Sequence, residues 1–130
     1  MIMSDFKTSY KKVKGLGSAK GGTDHWWMMR LTSVALIPLG IWFVFSLVGL
    51  IDADLTEFAD WLRSPFQATM MVLFLGFLFH HAANGMQVVY EDYIHCEKMK
   101  WFAIYGTKFA CLFMAVASVV AVIRISFGGM

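Results

Sequence analysis

Charge is scarce in this sequence. Only 15% of its 130 residues are Asp, Glu, Lys or Arg, where soluble domains carry about 25%. Cysteine is limited to Cys96 and Cys111, with no CxxC spacing. That excludes a cysteine-bound cluster and gives a disulfide or zinc site little support. One cysteine falls in a loop and one in an apolar run, so they read as a surface thiol and a packing residue. A nucleotide-binding glycine motif is missing. An internal repeat and a polar path across the apolar segments are also missing, which argues against a transporter. Nothing points to nucleic acid as a partner.

What is abundant is apolar surface, at 58% of residues, and it is clumped. Leu31 to Ile51 carries no charge. Phe66 to Phe79 carries none either, and its apolar pattern continues through two histidines to Tyr90. Trp101 to Ile123 carries only Lys108. A helix rises about 1.5 Å per residue and the hydrocarbon core is about 30 Å thick, so about 20 residues span it. None of the three segments shows the polar stripe of a soluble helix. The expected fold is therefore an all-α membrane protein with three transmembrane helices, over about 24–51, 65–92 and 99–126. A polar, basic arm over 1–22 precedes an anchor domain over 23–130. Residues 1–30 are too long and polar for the n-region of a cleavable signal, so the first span is expected to stay in the membrane.

Lysine and arginine are unevenly placed. Lys7, Lys11, Lys12, Lys14, Lys20 and Arg30 precede the first span, and Lys98, Lys100 and Lys108 follow the second. The loop between spans one and two has Asp52, Asp54, Glu57 and Asp60 against Arg63. The positive-inside rule puts the N-terminus on the cytoplasmic or matrix side and the C-terminus opposite. Trp26, Trp27, Tyr90, Tyr93, Trp101 and Tyr105 then fit one interface, and Trp61 the other. Thr23 or Asp24 is expected to cap the first helix, Pro38 to kink it at mid-span, and Pro65 to start the second. Leu55, Phe58, Ala59 and Leu62 repeat at helical spacing and predict a short interfacial helix. Small residues in span three, at Ala103, Gly106, Ala110, Ala117 and Ala121, predict close helix packing.

The chemistry is concentrated in span two. His80 and His81 lie at membrane depth, where ionisable groups are costly and usually functional. His81, Gly85, Val88 and Asp92 return to one helical face. Gly85 removes the side chain one turn from His81, leaving room for a flat macrocycle, and imidazole is an axial ligand of haem iron. Asp92 and Tyr93 follow about 17 Å along the axis, at about 1.5 Å per residue. There a tyrosine hydroxyl beside a carboxylate can donate to a quinone carbonyl and relay protons. The plainer alternatives are a histidine bonded to a neighbouring helix, an aromatic-belt tyrosine and a solvated acidic loop.

The stretch from His81 through Gly85 to Glu91-Asp92-Tyr93-Ile94-His95 resembles the small D-type membrane anchor of succinate dehydrogenase, respiratory complex II. That family places glycine four residues after a histidine, and Asp-Tyr eleven and twelve after it. A second likeness runs from Gly21-Gly22-Thr23-Asp24-His25-Trp26 to Arg30-Leu31-Thr32-Ser33. The resemblance covers roughly residues 15–127, and its Glu-Asp-Tyr-Ile-His run is similar to the alphaproteobacterial and mitochondrial branch.

The resemblance implies a bundle built with a second, C-type anchor subunit, and iron–sulfur and flavoprotein subunits on the cytoplasmic or matrix side. It implies that His81 is one axial ligand of a b-type haem shared with the C-type anchor. Arg30, His25 and Gly85 would border the haem or its propionates, with Asp24 a weaker candidate. Tyr93 and Asp92 would contact ubiquinone, the substrate. His80, turned about 100° away, would face another helix or a propionate. This chain would hold no succinate-oxidising centre and no catalytic residue. Its place would be the bacterial inner membrane, or the mitochondrial inner membrane if organellar. Two alternatives stay open: a b-haem anchor of fumarate reductase or another quinone-linked reductase, and a haem-free structural subunit.

Overall fold

The computed structural model describes residues 22–128. Four helices account for nearly all of them: α1 (Gly22–Gly49), α2 (Leu55–Arg63), α3 (Pro65–Tyr93) and α4 (Glu97–Ser126). No strand occurs among the described residues. Three helices, α1, α3 and α4, are long and apolar enough to cross a membrane. A helix suits that setting because every backbone N–H and C=O inside it is satisfied within the segment.

Local chemistry sets the helix ends. Asp54 caps α2: its Oδ1 accepts from the Glu57 N–H at 2.8 Å, and Glu57 Oε2 accepts from the Asp54 N–H at 3.2 Å. This reciprocal pair satisfies two donors that the first turn leaves free. Ala59 and Leu62 form the buried side of α2. Pro65 opens α3, where its missing N–H costs no hydrogen bond. Pro38 lies inside α1 without ending it. Beyond α4, Gly128 takes a φ of 81°, a left-handed conformation that glycine adopts without a Cβ clash.

α3 is the central helix. Phe43 of α1 stacks on Phe74 of α3 at 4.4 Å, and Trp42 Nε1 donates to Gln67 Oε1 at 3.1 Å. Contacts further down α3 fall further up α1, so the two run antiparallel. On the other flank, Tyr90 of α3 hydrogen-bonds Thr107 of α4 at 2.9 Å. α2 packs on α3 and α4, while α1 and α4 do not meet among the described residues. The spans thus form an open layer. Phe45, Phe102 and Phe113 stay 74%, 82% and 72% exposed, as side chains facing lipid or another subunit do.

Two expectations need correction. Thr23 and Asp24 do not cap α1; they lie within it, after Gly22. An acidic residue in the first turn is favourable there because it faces the positive end of the helix dipole. Of the small residues expected to pack in α4, Ala103 is half-buried and the other four lie off its packing face within the chain. Gly106, Ala110, Ala117 and Ala121 look outward, whereas Ile104 and Val122 are buried. The α3-facing side of α4 also carries small side chains: Thr107 bonds Tyr90, and Cys111 and Ala115 line the cavity between the two helices. The basic arm, Gly22 apart, lies outside the described residues, as do Gly129 and Met130.

Candidate functional site

His81 sits on the α1-facing side of α3 and is half-buried. Its Nδ1 lies 2.9 Å from Thr32 Oγ1. Thr32 is 1% exposed, one of the most buried side chains among the described residues. The same hydroxyl lies 2.7 Å from the Met28 carbonyl oxygen and 3.1 Å from that of Met29. Gly85 follows one turn later on the same side. A Cβ there would find only the Met29 Cε, at 4.0 Å. The space beside Gly85 is open, and α1 borders it only through a flexible methionine.

His80 faces the other way. It is exposed, and its Nε2 lies 3.0 Å from Asn84 Nδ2 on its own helix. It reaches neither another helix nor Arg30. It borders a cavity of about 410 Å³ between α3 and α4, together with Asn84, Lys108 and Cys111. Further along this flank, Gln87 Nε2 donates to Glu91 Oε1 at 2.8 Å. The two histidines, adjacent in sequence, are thus turned apart: His81 bonds Thr32 of α1, whereas His80 bonds its own helix and borders both the α3–α4 cavity and a hollow shared with Met28 and Thr32.

The remaining candidates lie nearer the α3 C-terminus. His25 is half-buried, and its Nε2 is buried without a hydrogen-bond partner among the described residues. Helix register places it two turns before Thr32, on the side that packs on α3. Arg30 is exposed, with its guanidinium over the Trp26 ring at 5.0 Å. Such cation–π contact holds the charge near the apolar–water boundary. Asp92 and Tyr93 are exposed in the last turn of α3, Tyr93 at 79%. The fold brings His81, Gly85 and the α1 side chains together. It does not enclose Asp92 and Tyr93 within this chain. No group of three or more His, Cys, Asp or Glu among the described residues would hold a bare metal ion.

Sequence reasoning missed Thr32 as a partner of His81. The residue stood in the Arg30-Leu31-Thr32-Ser33 stretch, but its target depends on how α1 and α3 are registered. It also missed the Asn84 and Gln87 pairings, which the i, i+4 spacing could have shown.

The family described as succinate dehydrogenase/fumarate reductase transmembrane subunit matches residues 4–122. The chain belongs to that family. It is accordingly a multi-pass membrane protein, with the three apolar helices as its spans. Its relatives include the succinate dehydrogenase hydrophobic membrane anchor subunit of Rickettsia bellii, 32% identical over 91% of this chain and 94% of the relative. The protein of the same name from Paracoccus denitrificans is 30% identical over 93% of each chain. The succinate dehydrogenase membrane anchor subunit of Reclinomonas americana is 30% identical over 66% of this chain and 74% of the relative. No solved structure gives a significant match. The three-span architecture expected from the sequence thus agrees with both the fold and the family.

Proposed function

We propose that this chain is the membrane anchor of a succinate dehydrogenase, helping to hold a b-type haem and forming part of a ubiquinone-reduction site. The observation that carries the reading is the arrangement along α3. A half-buried His81 has one ring nitrogen held by Thr32, an open glycine position follows one turn on, and Asp92 and Tyr93 lie at the helix end. Family membership supports the complex, and the relatives' names favour succinate oxidation over fumarate reduction.

The residues present fit a haem. A b-type haem needs one imidazole from each side rather than a cluster of ligands. His81 Nε2 makes no hydrogen bond among the described residues, and Gly85 leaves space beside it. The unpartnered His25 Nε2 suits a propionate oxygen. Arg30 lies near the same end of α1 and suits a carboxylate. When bound, the haem supplies a one-electron relay beside the quinone. The C-type anchor would supply the other ligand to the shared haem.

The rest of the function rests on side chains of this chain. Lysine-rich ends support putting the α1 N-terminus and the α3 C-terminus on the cytoplasmic or matrix side, where flavoprotein and iron–sulfur subunits would dock. Tyr93 then lies at the docking interface. Its hydroxyl donates to a quinone carbonyl, and Asp92 beside it accepts and passes on protons. Two electrons from the iron–sulfur subunit and two protons convert ubiquinone to ubiquinol. The exposure of Tyr93 in the isolated chain is what a residue completed by partner subunits requires.

Tyr93→Phe tests the quinone role. Quinone reduction by the purified complex is expected to fall by about a hundredfold or more, the scale of general acid–base assistance. Succinate oxidation by an artificial dye is expected to persist. Unchanged quinone reduction removes Tyr93 from the site.

A further inference from the structure

The Thr32–His81 contact carries more than packing. A threonine hydroxyl has one proton to give. Three candidate acceptors surround it: the Met28 carbonyl oxygen at 2.7 Å, the Met29 carbonyl oxygen at 3.1 Å and His81 Nδ1 at 2.9 Å. The shortest contact is the back-bond that helical threonine makes to the carbonyl four residues earlier. Ser33 makes the same bond, to Met29, at 2.7 Å. With its proton on Met28, the Thr32 oxygen is an acceptor toward His81. The imidazole must then carry its proton on Nδ1, which leaves the lone pair on Nε2.

We propose that Thr32 is a positioning residue that fixes His81 in the Nδ1–H tautomer and aims Nε2 as the ligating nitrogen. This rests on the reading of His81 as an axial ligand. A ligating histidine usually donates its other N–H to a fixed acceptor, which sets the ring plane and raises the basicity of the ligating nitrogen. A hydroxyl that is 1% exposed and held to its own helix backbone is such an acceptor. Because Thr32 is on α1, the ligand geometry on α3 depends on the α1–α3 packing. Higher basicity at Nε2 favours ferric over ferrous iron, so loss of the hydrogen bond raises the haem potential.

The assembled complex is the material for the test. Thr32→Val removes the acceptor with little change of shape, and Thr32→Ser restores it. Thr32→Val is expected to raise the haem midpoint potential by a several-fold change in the ferric-to-ferrous preference. A tenfold change corresponds to about 59 mV for one electron. Thr32→Ser is expected to return the potential close to that of the parent. Equal potentials in parent and Thr32→Val, with haem still dependent on His81, overturn the proposal while leaving the axial-ligand reading intact. Haem retained unchanged in His81→Ala overturns the axial-ligand reading itself, and this inference with it. If Thr32→Val does not assemble, nitrogen NMR of the haem-free full chain with labelled histidine decides. A protonated Nδ1 at His81 supports the tautomer assignment, and a protonated Nε2 overturns it.

Discussion

The two flanks of α3 solve the same problem differently. Toward α1, the helix places His81 against a buried threonine and leaves an open position at Gly85. Toward α4, it ties its polar groups to one another or to the neighbour: His80 to Asn84, Gln87 to Glu91 and Tyr90 to Thr107. The α4 flank makes one of these bonds to the neighbouring helix, Tyr90 to Thr107, and leaves the buried Gln87 Oε1 without a partner among the described residues. The α1 flank instead holds its imidazole by a bond across the helix–helix boundary, with no hydrogen bond to His81 Nε2 among the described residues. Adjacent histidines thus have different prospects, because about 100° of helical rotation gives each a different neighbour.

Substitutions on the two flanks sharpen that difference. Gly85→Leu fills the open side of the α1 flank, and the complex is expected to lose most of its reduced b-type absorbance. Full haem content in that variant breaks the claim that this face receives the cofactor. Leu62, on the buried side of α2, belongs to neither flank. Leu62→Ala is expected to cost about 2–5 kcal/mol as a core cavity does, read as a lower melting temperature of the solubilised complex with an unaltered haem spectrum. Tyr90→Phe removes the α3–α4 hydrogen bond. It is expected to cost about 0.6 kcal/mol, the mean for such bonds in membranes, and to leave the haem spectrum as it was. A spectral change in Tyr90→Phe would extend the haem environment to the α4 flank.

Much of this organisation was legible in the sequence. The clumping of apolar residues against so few charges gave the three spans. The spacing of Leu55, Phe58, Ala59 and Leu62 gave α2, and Pro65 gave the start of α3. The likeness around His81 to Tyr93 gave the family. The lateral arrangement was not legible. Helices that are apolar on every side carry no stripe to say which face meets which neighbour. The small residues of α4 therefore pointed to a packing face that, apart from Ala103, the chain itself does not use. For the same reason the bond from Thr32 to His81 required the α1–α3 register. Tyr93 and Asp92 were legible as chemistry. Their surroundings were not, and within this chain both side chains are exposed.

The central claim is that His81, and not its neighbour, faces the cofactor. The most direct measurement is the dithionite-reduced b-type spectrum of the purified complex carrying His81→Ala or His80→Ala, each normalised to the flavoprotein. The structure predicts that His81→Ala falls to roughly a tenth of the parent signal or less, taking the scale on which ligand shells alter metal affinity. His80→Ala is predicted to keep most of the signal. Equal retention of the signal in both variants, or its selective loss in His80→Ala, would contradict the account.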